Sequence, residues 1–492
     1  MHNAKAFFID QHMSMDLIQG LMQKFGFSEF RGVQRQTLDR LKNKQSVLAL
    51  MPTGTGKSLC YQFPALVWGE FVLVLSPLIA LMQDQTNKAK ELGIHATFIN
   101  SSISSSEREA RLAKVAAGKI QLLFVTPERF RKTDFVEVIQ HRKPDLLVID
   151  EAHCISQWGH DFRPDYSKIG QIRKNLGNPV TLALTATATP QVQQDILKSL
   201  DIPTAEILSA GVERPNLSLN VADLHGKDQK FGLLTQYLQN ATGTTLIYTT
   251  LIDTLKEISR FLEQKKIQHL TYHDQMEARH RKQSLNEFIR NENVVMLATP
   301  AFGLGIDKPN IRTLIHFEMP GSIESYYQEV GRAGRDGDLS KAYLLFDQED
   351  VSIQMEFIKW AYPETNYILK VFDLIKNNKA QVASGGFDYL REQLSFRNRR
   401  DFRPESSVQL LEKIGALEIT DESRFGYRAA AQEPSSEEIQ QICNAEMMKN
   451  QNMKLLEMFR WAQQEEICRS KLIYKYFGYE KKEDCGICDV CR

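Results

Sequence analysis

Charge of one sign, long apolar runs and paired cysteines are all scarce in this sequence. Lys plus Arg and Asp plus Glu stand at 61 each across 492 residues, so net charge steers the chain neither toward nor away from a polyanion. Any polyanion site has to be a local patch. No apolar run approaches the roughly 20 residues that cross a bilayer, and MHNAKAFFIDQH has no cationic start leading into an apolar core and a small-residue cleavage site. The expectation is a soluble chain in the cytoplasm, with no membrane partner. Seven cysteines are too few for a disulfide scaffold: Cys60, Cys154 and Cys443 are scattered, whereas Cys468, Cys485, Cys488 and Cys491 gather near the end. The remaining composition, 42% hydrophobic and 25% charged, suits ordinary globular domains, and the length predicts about three of them.

What the chain does contain is MPTGTGKS, Met51 to Ser58, between an apolar stretch (46–50) and a helix-like stretch (59–68). Strand, glycine-rich turn and helix start make a phosphate cradle. Gly54 and Gly56 lack Cβ, so backbone N–H groups from Thr53 to Ser58 can close on phosphate oxygens beside the positive end of the helix. Lys57 has the reach for β- and γ-phosphates, and the Ser58 hydroxyl can ligate Mg²⁺. Met51 stands where the general pattern has its first glycine. Upstream, FGFSEFRGVQ offers an aromatic, a guanidinium and an amide, Phe27, Arg31 and Gln34, which could stack on and hydrogen-bond an adenine.

From 71 to 210 apolar strand-like runs alternate with amphipathic ones, the rhythm of βαβ units and a parallel sheet. Ser76, Thr126, Asp150 with Glu151, and Thr185 to Thr187 all fall at strand ends, where such sheets bind their ligands. Asp150 can hold Mg²⁺ through water, and Glu151 can orient or deprotonate an attacking water. The segment CISQWGHDFRPDY then mixes Trp158 and Phe162 with His160 and Arg163. Rings that stack on bases and cations that pair with phosphates suit single-stranded nucleic acid; by composition alone the two aromatics read equally well as core.

Gly211 to Val221, broken by Pro215, reads as a linker. A second α/β unit follows without a phosphate loop of its own, and it carries YYQEVGRAGRDG with Gln328, Arg332 and Arg335. Guanidinium groups delivered across a cleft onto a γ-phosphate stabilise transition-state charge, so the two units predict one composite ATP site and a motor that opens and closes. Residues 361–433 read as helices, a basic stretch (Arg397, Arg399, Arg400, Arg403) and a strand-turn-strand, which is either a winged-helix-like module or a helical insertion with surface arginines. The spacing C-x16-C-x2-C-x2-C at the end predicts a closed, structural Zn²⁺ site.

Taken together these stretches resemble the RecQ family of superfamily 2 DNA helicases. FGFSEFRGVQ matches the family's adenine motif, MPTGTGKSLCYQFPA its phosphate loop, and DEAHCISQWGHDFRPDY its carboxylate motif with an aromatic-rich loop. LTATAT, ATPAFGLGIDKPNIR, SYYQEVGRAGRDG, CRSKLIYKYFG and CGICDVCR match its later motifs and zinc segment. The resemblance implies two tandem RecA-like domains, ATP-driven 3′ to 5′ translocation on single-stranded DNA, unwinding of tailed or branched duplex, and roles in recombination and repair. It implies that Trp158, Phe162 and Arg163 link DNA binding to hydrolysis. The sequence departs from the family at His273, Asp274, Gln275 and Met276, where relatives carry H-A-G-L, and around Tyr248. Relatives often carry the winged helix after the zinc segment and a further helical DNA-binding domain. Here the candidate winged module precedes the zinc segment and the sequence stops at Arg492, so a short form is expected. Phe425 and Tyr427 are candidates for the element that separates strands. The expected division is 1–210 and 211–360 for the two RecA-like domains, 361–433 for the winged-helix-like module and 434–492 for the zinc-binding subdomain. The chain is expected as a monomer, nucleoid-associated if bacterial. An RNA helicase and an ATP-gated junction-binding or annealing factor are the alternatives.

Overall fold

The architecture comes from a computed structural model, which describes residues 19–492 apart from 22, 53, 78, 101, 160–162, 304–307, 395–400 and 421–424. Thr53, His160, Phe162, Arg397, Arg399 and Arg400 therefore lie outside the described residues. Seven short strands form a first sheet: β1 (Val47–Leu50), β2 (Val72–Leu75), β3 (Ala96–Ile99), β4 (Leu122–Val125), β5 (Leu146–Ile149), β6 (Val180–Thr185) and β7 (Glu206–Ser209). They run in the order β3-β4-β2-β5-β6-β1-β7 with every pairing parallel. Strands such as VLVL in β2 and LLVI in β5 are apolar at every position because both faces of a parallel sheet are covered, and both strands are buried throughout. Since β2, β5, β6 and β1 are neighbours, the residues that follow them come together along one edge.

A second parallel sheet contains β8 (Leu217–Asp223), β9 (Thr244–Tyr248), β10 (Leu270–Tyr272), β11 (Val295–Ala298), β12 (Ile311–His316) and β13 (Ser340–Phe346), in the order β10-β11-β9-β12-β13-β8. The structure corrects the expected linker here. Gly211 to Val221 is a connector only as far as Asn216, because Leu217–Asp223 is a seven-residue edge strand in register with Ser340–Phe346. Its L-S-L-N-V alternation is a period-2 strand signal that Pro215 obscures. The short strand β7, and the helices Lys227–Gln239 and Glu349–Ala361, also lack a counterpart in the sequence reading.

Three helices, Thr365–Asn377, Lys379–Leu394 and Arg403–Lys413, then pack around Ile368, Phe372, Leu390 and Leu411, and an antiparallel pair, β14 (Leu417–Ile419) with β15 (Tyr427–Ala429), adds the wing. The middle helix is kinked at Gly386 (φ +54°), whose missing Cβ leaves room for the Phe425 ring. That ring meets Phe387 edge-on at 5.4 Å, so Phe425 faces the module's helices. The last helices, Ala445–Gln463 and Arg469–Tyr476, have no separate core: Leu455, Met458, Trp461, Ile473 and Phe477 bury against Tyr326, Tyr327 and Val330 of the second sheet's domain. Among the described residues no helix is long and apolar enough to cross a membrane.

Candidate active site between the two sheets

The backbone of β1 makes one further ladder bond, Met51 N–H to Thr185 O at 2.9 Å, before turning through Gly54 (φ +83°) and Gly56 (φ +79°) into the helix Leu59–Phe63. A Cβ on Gly56 would stand 2.7 Å from Gln34 Nε2, and one on Gly54 would stand 3.2 Å from Arg335 Cδ. The loop is thus held between a side chain of its own domain and one from the other sheet. Gln34 is buried; its Nε2 donates to Thr55 O and Gly56 O, both at 3.0 Å, and its Oε1 accepts from Arg31 N at 2.8 Å. Phe27 and Arg31 beside it are exposed.

Lys57 Nζ is buried, 3.6 Å from Glu151 Oε1, and makes no hydrogen bond among the described residues. A buried ammonium without an acceptor is costly, so its position suits a phosphate oxygen. Asp150 follows β5 and accepts from Ser76 Oγ at 3.4 Å and Glu151 N at 3.1 Å. Burial first, and then the Glu151 charge, push its pKa up to about 6 against the pull of Lys57. A buried carboxylate so disfavoured as an anion fits a hard divalent cation such as Mg²⁺, whose charge would hold it ionised. Glu151 adopts φ +49°, which aims its carboxylate back at Lys57 and at His153, whose Nδ1 lies 3.3 Å from Glu151 Oε2 and 2.9 Å from Thr185 Oγ1.

From the second sheet, the helix Ile323–Val330 and the loop after it supply the facing wall. Gln328 Nε2 reaches across to donate to Thr187 Oγ1 at 3.1 Å. Arg332 is buried beneath the loop, donating to Gly303 O, while Arg335 continues to Gly54. The structure therefore brings Gln34, Lys57, Asp150, Glu151, Gln328 and Arg335 to one cleft. Trp158 sits apart from them, half-buried against the first sheet's core and lining a separate cleft of about 970 Å³ with Pro190, Ile323 and Trp461. Arg163 donates to Pro77 O at 3.2 Å. Arg214 and Asn216 fall within the expected linker and carry a role that it does not anticipate. Arg214 donates to the carbonyls of Gly331 (2.9 Å), Ala333 and Gly334 (3.3 Å), and Asn216 Nδ2 donates to those of Gly334 (2.8 Å) and Asp338 (2.9 Å). Polar side chains within a short R-P-N run, directly ahead of a strand, were the available signal.

The four clustered cysteines converge as their spacing predicts. The Sγ atoms of Cys468, Cys485, Cys488 and Cys491 all lie within 4.8 Å of one another. Tetrahedral Zn–S bonds of about 2.3 Å require sulfurs about 3.8 Å apart, and Cys485 and Cys491 are at 3.8 Å. Backbone N–H groups of Cys485 and Cys488 point at the sulfurs of Cys468 and Cys485, both at 3.3 Å, an arrangement that favours thiolates.

Two parallel-sheet RecA-like domains with a phosphate loop on one and arginines on the other define the helicase class of nucleotide-dependent proteins. Family models agree along the chain: DEAD/DEAH box helicase matches residues 31–196, helicase conserved C-terminal domain 229–337, and RecQ zinc-binding 433–492. The chain belongs to the RecQ helicase family. It is 42% identical to the ATP-dependent DNA helicase RecQ of Bacillus subtilis over 69% of this chain and 57% of that protein. To the probable ATP-dependent DNA helicase RecS of the same organism it is 39% identical, over 70% of each. The chain thus spans between about a third and 70% of the length of the curated relatives it matches. The fold is also that of S. cerevisiae Dbp5 bound to RNA and ADP BeF3, with a TM-score of 0.54 at 18% identity over 69% of this chain and 89% of that one.

Proposed function

We propose that this chain is an ATP-dependent DNA helicase that translocates 3′ to 5′ on single-stranded DNA and separates tailed or branched duplex in recombination and repair. The observation that carries the reading is Arg335 from the second sheet packed against Gly54 of the first sheet's phosphate loop, with the Lys57 ammonium and the Asp150 and Glu151 carboxylates beside them. In this reading Phe27 and Arg31 stack on the adenine and Gln34 braces the loop for it. Thr53, Gly54, Thr55 and Gly56 present N–H groups to the phosphates, and Lys57 neutralises them. Ser58 and Asp150 hold Mg²⁺, which supplies charge stabilisation at the phosphate oxygens when bound. Glu151, fixed by its contacts with Lys57 and His153, orients water and accepts its proton. Arg332 and Arg335 meet charge that develops on the transferring phosphoryl group, and Gln328 reports closure through Thr187.

Trp158, His160, Phe162 and Arg163 contact single-stranded DNA, and Cys468, Cys485, Cys488 and Cys491 bind a structural Zn²⁺. The working division is 1–210, 211–360, 361–433 and 434–492, acting as a monomer in the cytoplasm. Separating one base-pair step costs about 1.4 kcal/mol, which is why strand separation is assigned to a site that hydrolyses ATP. A 3′-tailed duplex with labelled strands tests the reading: displacement requires ATP and fails on a 5′-tailed control. Hydrolysis stimulated by RNA and not by DNA would make RNA the track. Robust DNA-stimulated hydrolysis with no displaced strand would leave a junction-binding or annealing factor.

A further inference from the structure

The chain between the two sheets touches both walls of the ATP cleft. At its start Ala210 N–H donates to Leu50 O at 2.9 Å, one residue ahead of the phosphate-loop segment, and Tyr327 OH donates to Val212 O at 2.9 Å. Arg214 then spreads its guanidinium over the carbonyls of Gly331, Ala333 and Gly334. Gly331 caps the helix Ile323–Val330, so the cation also lies at the negative end of that helix. Asn216 holds Gly334 and Asp338 from the other side, and Gly334 (φ +60°) comes so close that a Cβ there would stand 2.6 Å from Asn216 Nδ2. The bonded carbonyls bracket Arg332 and Arg335 in sequence.

We infer that Arg214 and Asn216 are positioning residues for the arginine loop, setting how far Arg335 reaches toward the phosphate loop. The inference rests on the proposed role of that arginine. Five donors in a rigid fork can satisfy several carbonyls of one loop at once, which a lysine ammonium on a flexible stem cannot do with the same geometry. Misplacing a reacting group by about 1 Å can cost about 10²-fold in rate. The effect falls on turnover, because Arg214 and Asn216 bond to the carbonyls of the arginine loop, while the phosphate loop and Gln34 on the opposite wall keep their own contacts.

The test compares Arg214→Lys, Asn216→Ala, Arg335→Ala and the double variant Arg214→Lys/Arg335→Ala in DNA-stimulated ATP hydrolysis, with thermal unfolding recorded for each. Arg214→Lys and Asn216→Ala are expected to lower kcat at least tenfold with KM for ATP within twofold and an unchanged unfolding midpoint. The double variant is expected to match Arg335→Ala alone, since both changes act through one loop. Full kcat in Arg214→Lys and Asn216→Ala while Arg335→Ala is impaired overturns the positioning role and leaves the finger reading intact. Full kcat in Arg335→Ala overturns the finger reading, and the inference falls with it. An additive loss in the double variant, or a loss of turnover in both single variants that tracks loss of folded protein, assigns Arg214 to scaffolding and refutes the inference.

Discussion

Met51 occupies the place where the general phosphate-loop pattern has a glycine, and its surroundings explain the exchange. It is fully buried, with Sδ 3.9 Å from Cys60 Sγ, so the position serves the core, while among the loop's described residues positive φ falls on Gly54 and Gly56. Substitutions in this loop and at Arg335 against it should separate binding from turnover. Lys57→Ala removes the cation facing the phosphates and abolishes hydrolysis, whereas Arg335→Ala leaves ATP binding nearly intact and lowers turnover by about 10³-fold or more; nucleotide titration beside steady-state kinetics separates the two. Gly54→Ala places a methyl 3.2 Å from Arg335 Cδ in a left-handed backbone, which costs about 1–2 kcal/mol locally and displaces the arginine. Turnover should fall well beyond any change in ATP affinity, and an unaltered kcat would show that loop and arginine do not pack during the reaction. Lys57, Asp150, Glu151 and the two arginines were legible from sequence because phosphate chemistry needs those residue types at those spacings. Arg214 and Asn216 were not, since their role is to bond main-chain carbonyls, which leave no side-chain pattern.

Among the elements, the helix Glu349–Ala361 is tied to the second sheet by a buried pair: Lys230 Nζ donates to both Asp350 oxygens, at 2.7 and 3.0 Å, and to Phe317 O at 2.8 Å. Burial outweighs the Lys230 charge and pushes the Asp350 pKa up to about 6 from 3.8. Between those values the folded chain holds a proton that the unfolded chain has released, so this group's contribution to stability falls as pH rises from about 4 to about 6 and is flat above. Asp350→Asn should lower stability overall, because breaking a buried pair costs about 3–5 kcal/mol, and should lose that part of the pH slope. Thermal unfolding of both proteins from pH 4.5 to 6.5 checks it; parallel slopes would refute the assignment. The strand β8 carries the complementary lesson about reading elements. Its alternation was visible, yet pairing with β13 depends on a partner more than a hundred residues away, and Pro215 masked the start.

At the scale of the whole molecule, the zinc-binding helices and the second sheet's domain share one core, with the Trp461 ring tilted against Tyr326 at 4.7 Å and Phe477 at 5.3 Å from Tyr327. Both tyrosines lie on the helix that leads into the arginine loop. Stripping Zn²⁺ with a chelator should therefore lower the unfolding temperature of the second domain and weaken hydrolysis, beyond loosening residues 433–492, and Cys488→Ser should do the same with reduced zinc content. Metal analysis alongside calorimetry tests this, and a second-domain transition indifferent to zinc would break the link. The same segment also reaches the first domain: Gly478 (φ +82°) abuts Pro190, where a Cβ would stand 2.5 Å from Cγ, and Tyr479 OH lies 2.5 Å from Ser209 Oγ. The cysteines and the apolar stripe announced a zinc module, but nothing local announced that it would touch both RecA-like domains.

From the sequence by itself came the candidate groups: a phosphate loop, carboxylates at a strand tip, arginines on a second α/β unit and four thiols at zinc spacing. These depend on residue type and short spacing, which survive without knowledge of the fold. Only the tertiary structure decided which groups share the cleft: Gln34 bracing the loop, Arg335 rather than Arg332 against Gly54, and Arg214 behind them both. It also set Trp158 in a different cleft. Those outcomes arise from strand order and long-range packing, where residues far apart in the chain become neighbours through burial and hydrogen bonding of the backbone.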